Sequence, residues 1–396
     1  MNQKTRIIST VSFYHAFNDG AVAVVPILFP VLKTLFNLSY TQVGIITGSG
    51  LFITLITQLT IGRISDKKKR RFLLSIGIFL LSSSLLLLTQ TNGFFTLLVL
   101  ILFLRFGAGF FHPVGIGWIS KTFKKQKIDW AMGVQSAFGD FGAFIAILTT
   151  LYIVEKTSWV APFYIWSVGG IICLFIGLLL TRNIDEKNSN SSVEKPTRKH
   201  LQHIISEEKK ILKKMKLLLP GFIVSGAAWG IIITYLPLLL NAKTDLSFST
   251  IGLIVSIWIG IGAITCIFYG KISSQLGRKN VVILSYLIVA LSSFVLTSVS
   301  NIIILLGIMI ILGISTFLTY PSLFSFVSDL TDEETEGKTF SYIFTFQLGG
   351  GTILLFLSGV TSDLWGIWTP FLTLGILSML MAFVFLISRK SLIIKY

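Results

Sequence analysis

Five ionisable side chains sit where the sequence is otherwise continuously apolar: His15 and Asp19 in the first long run, Arg105 and His112 in the fourth, and Asp140 in the fifth. Of 17 acids, only Asp19 and Asp140 lie deep in apolar runs, as do only His15 and His112 of four histidines. Arg105 is the one basic residue so placed. An unpaired charge at the centre of a bilayer costs between about 2.5 and 10 kcal/mol, so these groups must face one another or water. At 1.5 Å per residue, Asp19 falls roughly 20 Å in from the start of its run. His112 comes to a similar depth, with Arg105 about two helical turns nearer the opposite face.

The chemistry open to this set is proton transfer. A carboxylate binds its proton more tightly in low dielectric, and a neighbouring cation loosens it again. Imidazole titrates close to neutral pH. A carboxylate alternating between two such environments takes up a proton on one side and releases it on the other. Asp19 is the first candidate carrier and Arg105 its charge partner, while His15, His112 and Asp140 could relay the proton or bind substrate. A second reading stands beside this one: Asp19, Asn18 and Arg105 satisfy one another and only fix helix packing.

Holding such groups in place requires membrane spans, and the composition demands them. The 396 residues are 53% hydrophobic and 13% charged, against about 25% charged in soluble domains, with a mean hydropathy of +0.82. Apolar runs fall at 7–32, 40–62, 72–90, 94–120, 130–153, 159–181, 217–240, 249–270, 281–299, 302–327, 339–361 and 365–388. Each is long enough to cross a hydrocarbon core as a helix of roughly 20 residues. None alternates with the two-residue period of a membrane barrel. The first run is too long for a signal-peptide core and contains Asn18 and Asp19, so it is expected to stay as a span.

The net charge of +16 follows topology, not nucleic-acid binding. With the N-terminus inside, 29 of the 33 Lys and Arg fall in inner loops, and only Lys33, Lys156 and Lys243 fall outside. This positive-inside bias predicts a plasma-membrane protein with both termini cytoplasmic. The segment 182–216 divides the chain into a six-helix unit, 1–181, and a second, 217–396. Its Ser-, Asn-, Lys- and Glu-rich start cannot build a core, and residues 201–215 read as an amphipathic interfacial helix. Cys173 and Cys266 are isolated, which excludes a disulfide framework or thiolate metal cluster.

The two units repeat. Leu38-Ser-Tyr-Thr-Gln-Val-Gly-Ile-Ile46 aligns with Leu246-Ser-Phe-Ser-Thr-Ile-Gly-Leu-Ile254 at an offset of 208, and the same offset carries Gly62 to Gly270, Arg70 to Arg278, Arg71 to Lys279 and Pro113 to Pro321. An even number of spans per unit makes the repeats parallel, related by an axis along the membrane normal. The two prolines, Pro113 beside Gly107, Gly109 and Gly115, permit kinks in mid-span.

The loop Gly62-Arg-Ile-Ser-Asp66-Lys-Lys-Lys-Arg70-Arg71 resembles the GxxxD(R/K)xGR(R/K) signature of the major facilitator superfamily. Gly270-Lys-Ile-Ser-Ser-Gln-Leu-Gly277-Arg278-Lys279 is similar to its degenerate second copy, with Ser274 in place of the acid. The resemblance implies the major facilitator fold, all-α with twelve transmembrane helices in two six-helix pseudo-repeats. It makes Gly62, Asp66, Arg70, Arg71, Gly270 and Arg278 a gating loop, where the plain alternative is positive-inside charge. It also implies that Arg105 and Gly109 stand for the fourth-span RxxxG pattern. Within the superfamily the first half resembles the fosmidomycin-resistance exporters, through Ser12-Phe-Tyr-His15-Ala-Phe-Asn18-Asp19, Phe111-His112-Pro113 and Gln135-Ser-Ala-Phe-Gly139-Asp-Phe-Gly142.

Candidates for the substrate cavity are Asn18, Gln135, Trp229, Tyr235, Trp258, Tyr320 and Gln347, although an aromatic at helical spacing is more often packing. No metal-spaced His/Cys cluster, nucleophile elbow or phosphate-binding loop is present, so neither an enzyme nor a metal or cofactor site is expected. The expectation is a monomeric secondary transporter working by alternating access. Its partners are protons, lipid and a small-molecule substrate, with no nucleic acid. The favoured activity is efflux by antiport of a drug-like or anionic compound; the alternative is uptake of a small nutrient.

Overall fold

The computed structural model describes residues 2–65, 69–123, 125–184, 213, 215–330 and 336–388. In hydrocarbon every backbone N–H and C=O must find its partner within the segment, so continuous apolar runs become helices. In the first half these are α1 (Gln3–Leu35), α2 (Tyr40–Ser65), α3 (Arg70–Leu88), α4 (Phe94–Ala108), α5 (Phe111–Thr122), α6 (Lys125–Lys156) and α7 (Ala161–Thr181). The second half has α8 (Leu219–Lys243), α9 (Phe248–Ile267), α10 (Tyr269–Leu276), α11 (Arg278–Leu296), α12 (Ile302–Leu330), α13 (Glu336–Trp365) and α14 (Thr369–Ile387). Twelve candidate spans result among the described residues, with α4 and α5 forming one span and α10 lying between two. This is a multi-pass membrane protein.

The repeat extends to the helix boundaries. The starts of α2 and α9, α3 and α11, α4 and α12, and α7 and α14 each differ by 208 residues. Hydroxyls inside the spans bond back to the preceding turn, as Thr47 to the Val43 carbonyl at 2.8 Å and Ser82 to that of Ile78 at 2.8 Å. Ser and Thr are thereby tolerated in an apolar interior. The residues 201–212 of the expected interfacial helix lie outside the described residues, as does most of the segment between the halves.

Within the first half, α1 packs on α6 and α7, and α3 on α4 and α7. The halves meet along three seams: α2 on α13, α6 on α9, and α1 on α8. The fourth span departs from its counterpart. It breaks between α4 and α5 at Gly109 and Phe110, just before Pro113, whereas α12 runs unbroken through Pro321. Proline has no N–H to offer the carbonyl four residues back. In the first half that position is Gly109, which resists bending least; in the second it is Phe317. Thr54 of α2 donates to the Arg105 carbonyl beside the break at 3.2 Å.

Candidate functional site

Close approach of α1 and α6 builds the site. A Cβ on Gly142 would fall on the backbone of Ala16, and one on Gly139 would stand 2.7 Å from the His15 ring. Glycine at these two positions therefore brings the α6 backbone directly against the face of α1 that carries His15 and Asp19. His15 is buried, with its Nδ1 2.7 Å from the Gln135 carbonyl of α6. A carbonyl only accepts, so Nδ1 carries the proton and donates it. Phe111 of α5 stacks on the ring at 4.4 Å, and His112 meets it edge-on at 5.3 Å.

That orientation turns Nε2 toward Asp19, one turn along α1, to within 3.1 Å of Oδ2. The approach is too oblique for a hydrogen bond. The two groups stand close enough for a proton on one to act directly on the other. Asn18 Nδ2 donates to Asp19 Oδ1 at 2.9 Å and fixes the carboxylate from the other side.

Arg105, His112 and Asp140 all lie within electrostatic range of Asp19. His15 is therefore the group in contact with Asp19, and Arg105 acts on it through its field. The five ionisable groups picked out by their place in apolar runs converge on one region. The donor atoms of His15, Asp19 and His112 come within 4.8 Å of one another. Two imidazoles and a carboxylate could also accept a divalent d-block cation, although a proton needs only the first two residues.

The second half fills the equivalent space differently. Arg105 of α4 lies over Gly50 of α2, with Cγ 3.0 Å from where a Cβ would stand. At the same offset the partners are exchanged: Trp258 of α9 lies against Gly313 of α12. One half meets this helix crossing with an arginine side chain on a glycine, the other with the main chain of Trp258 on a glycine. Trp258 is fully buried, donating to Thr316 Oγ1 at 2.9 Å, and Tyr235 is buried with its hydroxyl on the Leu355 carbonyl at 2.8 Å. Both are packing residues here. Trp229 and Tyr320 line a small cavity with Ser225, Tyr286 and Thr319, and Gln347 packs against Gly226.

Of the loop residues expected to form a gate, Asp66 lies outside the described residues. Arg71 donates to the Thr181 and Arg182 carbonyls at 3.2 and 3.0 Å. Lys279, its repeat counterpart, donates to the Leu386 and Ser388 carbonyls at 3.3 and 2.6 Å. Both cations thus serve the C-terminal end of the last span of their own half, where a helix presents unpaired carbonyls. Gly62 faces Pro113, and Gly270 has open space around it.

Residues 11–354 and 218–392 match the Major Facilitator Superfamily. The chain is 26% identical over 170 residues to YfnC, an uncharacterized MFS-type transporter of Bacillus subtilis (strain 168), a match covering 43% of this chain and 41% of that protein. It is 24% identical over 148 residues to the fosmidomycin resistance protein of Escherichia coli (strain K12), covering 37% of this chain and 36% of that one. These matches therefore span about two fifths of each relative. The fold is similar to that of the nucleoside transporter NupG, with a TM-score of 0.79 at 17% identity over 97% of this chain and 99% of the other. Twelve apolar helices in two copies 208 residues apart, matched from residue 11 to residue 392, make this chain a member of the Major Facilitator Superfamily of membrane transporters.

Proposed function

We propose that the protein is a proton-coupled secondary transporter of the plasma membrane that exports a small drug-like compound by antiport. The observation that carries this reading is the His15–Asp19 pair at 3.1 Å, mid-span within the field of Arg105. Such a pair can bind or release a proton without leaving the membrane interior. The fosmidomycin resistance protein, a relative over part of the chain, supports export. On this reading the chain acts as a monomer, with units 1–181 and 217–396 rocking about the cluster and the 182–216 linker and both termini in the cytoplasm.

The charge of the cargo decides the direction of coupling. A neutral or cationic compound that uses the space or charge of Asp19 competes with the proton, as antiport requires. An anion drawn to Arg105 binds better once Asp19 is protonated, so it travels with the proton as symport. Linkage makes this measurable, because the effect of proton on cargo equals that of cargo on proton. A drug-susceptibility panel in cells with and without the protein identifies the cargo. Its affinity for purified protein is then expected to fall as pH is lowered. A rise would overturn antiport in favour of uptake by symport, and transport in proteoliposomes indifferent to an imposed pH gradient would remove proton coupling altogether.

A further inference from the structure

A second group of acids lies away from the coupling cluster, at the end of the molecule where α1 turns into α2 and α8 into α9. Asp363, near the end of α13, accepts from the Tyr40 N–H at 2.9 Å and the Thr41 N–H at 2.7 Å. These are the first two residues of α2, whose N–H groups have no partner within the helix. Ser39 and Gln42 already close the same end as a capping box: Ser39 Oγ accepts from the Gln42 N–H at 3.1 Å, and Gln42 Oε1 from the Ser39 N–H at 2.9 Å. Glu155, near the end of α6, serves α9 in the same way. Its Oε2 accepts from the Ser249 N–H at 2.8 Å and from the Ser249 hydroxyl at 2.7 Å. Ser247 caps that helix locally, accepting from the Thr250 N–H at 3.2 Å.

The two arrangements are copies of each other. Glu155 and Asp363, Thr41 and Ser249, and Ser39 and Ser247 are each separated by 208 residues. In both, the acid belongs to one half and the helix end to the other, so the contacts cross the interface in opposite senses. The Leu38-Ser-Tyr-Thr and Leu246-Ser-Phe-Ser repeats thus acquire a role: each presents a helix N-terminus to the carboxylate of the opposite half. Directly beneath, the backbones close up. A Cβ on Gly44 would stand 3.0 Å from the Leu355 carbonyl oxygen and 3.1 Å from the Gly359 Cα, and one on Gly252, its repeat counterpart, 3.2 Å from the Ile147 carbonyl oxygen.

We infer that Glu155 and Asp363 are positioning residues of the transport cycle, forming two clasps that hold the halves together at this end and set how often they part. The inference rests on the alternating-access reading but not on the identity of the coupling ion. Hydrogen bonds to a charged acceptor are the strong ones, and a helix N-terminus favours an anion. The clasp is broken whole when the halves separate, and no part of it depends on either half's own folding.

The test uses full-length protein carrying spin labels at Thr157 and Leu364, which are exposed at this end on opposite halves, with the distance between them read by pulsed dipolar spectroscopy. Glu155→Gln and Asp363→Asn are each expected to raise the ratio of parted to closed molecules about tenfold, and the double variant about a hundredfold, since the two sites share no partner. Glu155→Asp is expected to restore much of the closed population. A distance distribution unchanged in the double variant overturns the inference. A thermal melt run alongside separates the outcomes, because a merely structural role would lower the melting temperature without moving the distribution. If the distribution shifts while pH-driven flux is absent, the coupling proposal fails and the clasps stand. If flux is intact and the distribution does not move, the clasps alone fail.

Discussion

Asp19→Asn is expected to reduce pH-gradient-driven transport in proteoliposomes to the protein-free background while leaving exchange of cargo for cargo in place. Asparagine matches aspartate in size, and its carbonyl can still accept from Asn18 Nδ2, so the loss is confined to one proton-binding oxygen. His15 loses the carboxylate that stands 3.1 Å from its Nε2. Arg105 loses the one carboxylate whose field acts on it. Coupling needs a group that is charged in one half of the cycle and neutral in the other, and the amide is neutral throughout. Exchange needs no net proton movement and tests whether the protein remains folded and mobile. Flux and coupling equal to the wild type would assign the His15–Asp19 pair to packing, the second of the two readings open to the sequence.

Gly142→Leu is expected to be the most damaging single substitution for folding. The new Cβ would lie on the Ala16 backbone. Most overpacked sites relax by moving a side chain and cost about 1–3 kcal/mol. Here two helix backbones must separate along the α1–α6 contact, so the cost exceeds that range. At roughly 2–4 °C per kcal/mol, the melting temperature in detergent should fall by about 10 °C or more. Gly133→Leu is the control, in the same helix with nothing near its Cβ position, and should leave the melting temperature unchanged. Equal effects at the two positions would show that close approach at Gly142 is not what holds α1 to α6.

The spans were legible because each has to satisfy a physical requirement that leaves a long apolar signature, and helix starts repeating at 208 residues follow the same offset as the motifs. The cluster of ionisable groups was legible for the complementary reason, since a charge in a run of leucine and phenylalanine is conspicuous. Which groups touch was harder to read. Arg105 carries the formal charge opposite to Asp19, yet the contact belongs to His15. The signal lay in spacing, because residues four apart on one helix share a face. Gln135 looked like a cavity side chain, whereas its contribution to the cluster is a backbone carbonyl, and no side-chain type announces that. Tyr235 and Trp258 look alike in sequence whether they line a cavity or fill a core, and here they fill it. Glu155 and Asp363 stand as single acids at the mouths of spans, with no local motif to mark them. Their separation equals the repeat, but it takes the contacts across the halves to give it meaning.

The break in the fourth span puts a joint between two members of the cluster. Arg105 lies before Gly109 and Phe110, and His112 lies after them. In an unbroken helix their separation would be fixed by the rise per residue, as it is for their counterparts at 313 and 320 in α12. Across a joint it becomes a variable. Any tilt of α4 against α5 changes how much of the guanidinium field reaches the His15–Asp19 pair, so under the proton coupling proposed above a mechanical motion of the first half would be felt at the proton as a change of voltage. In the second half the corresponding helix runs unbroken, so among the described residues it offers no such joint.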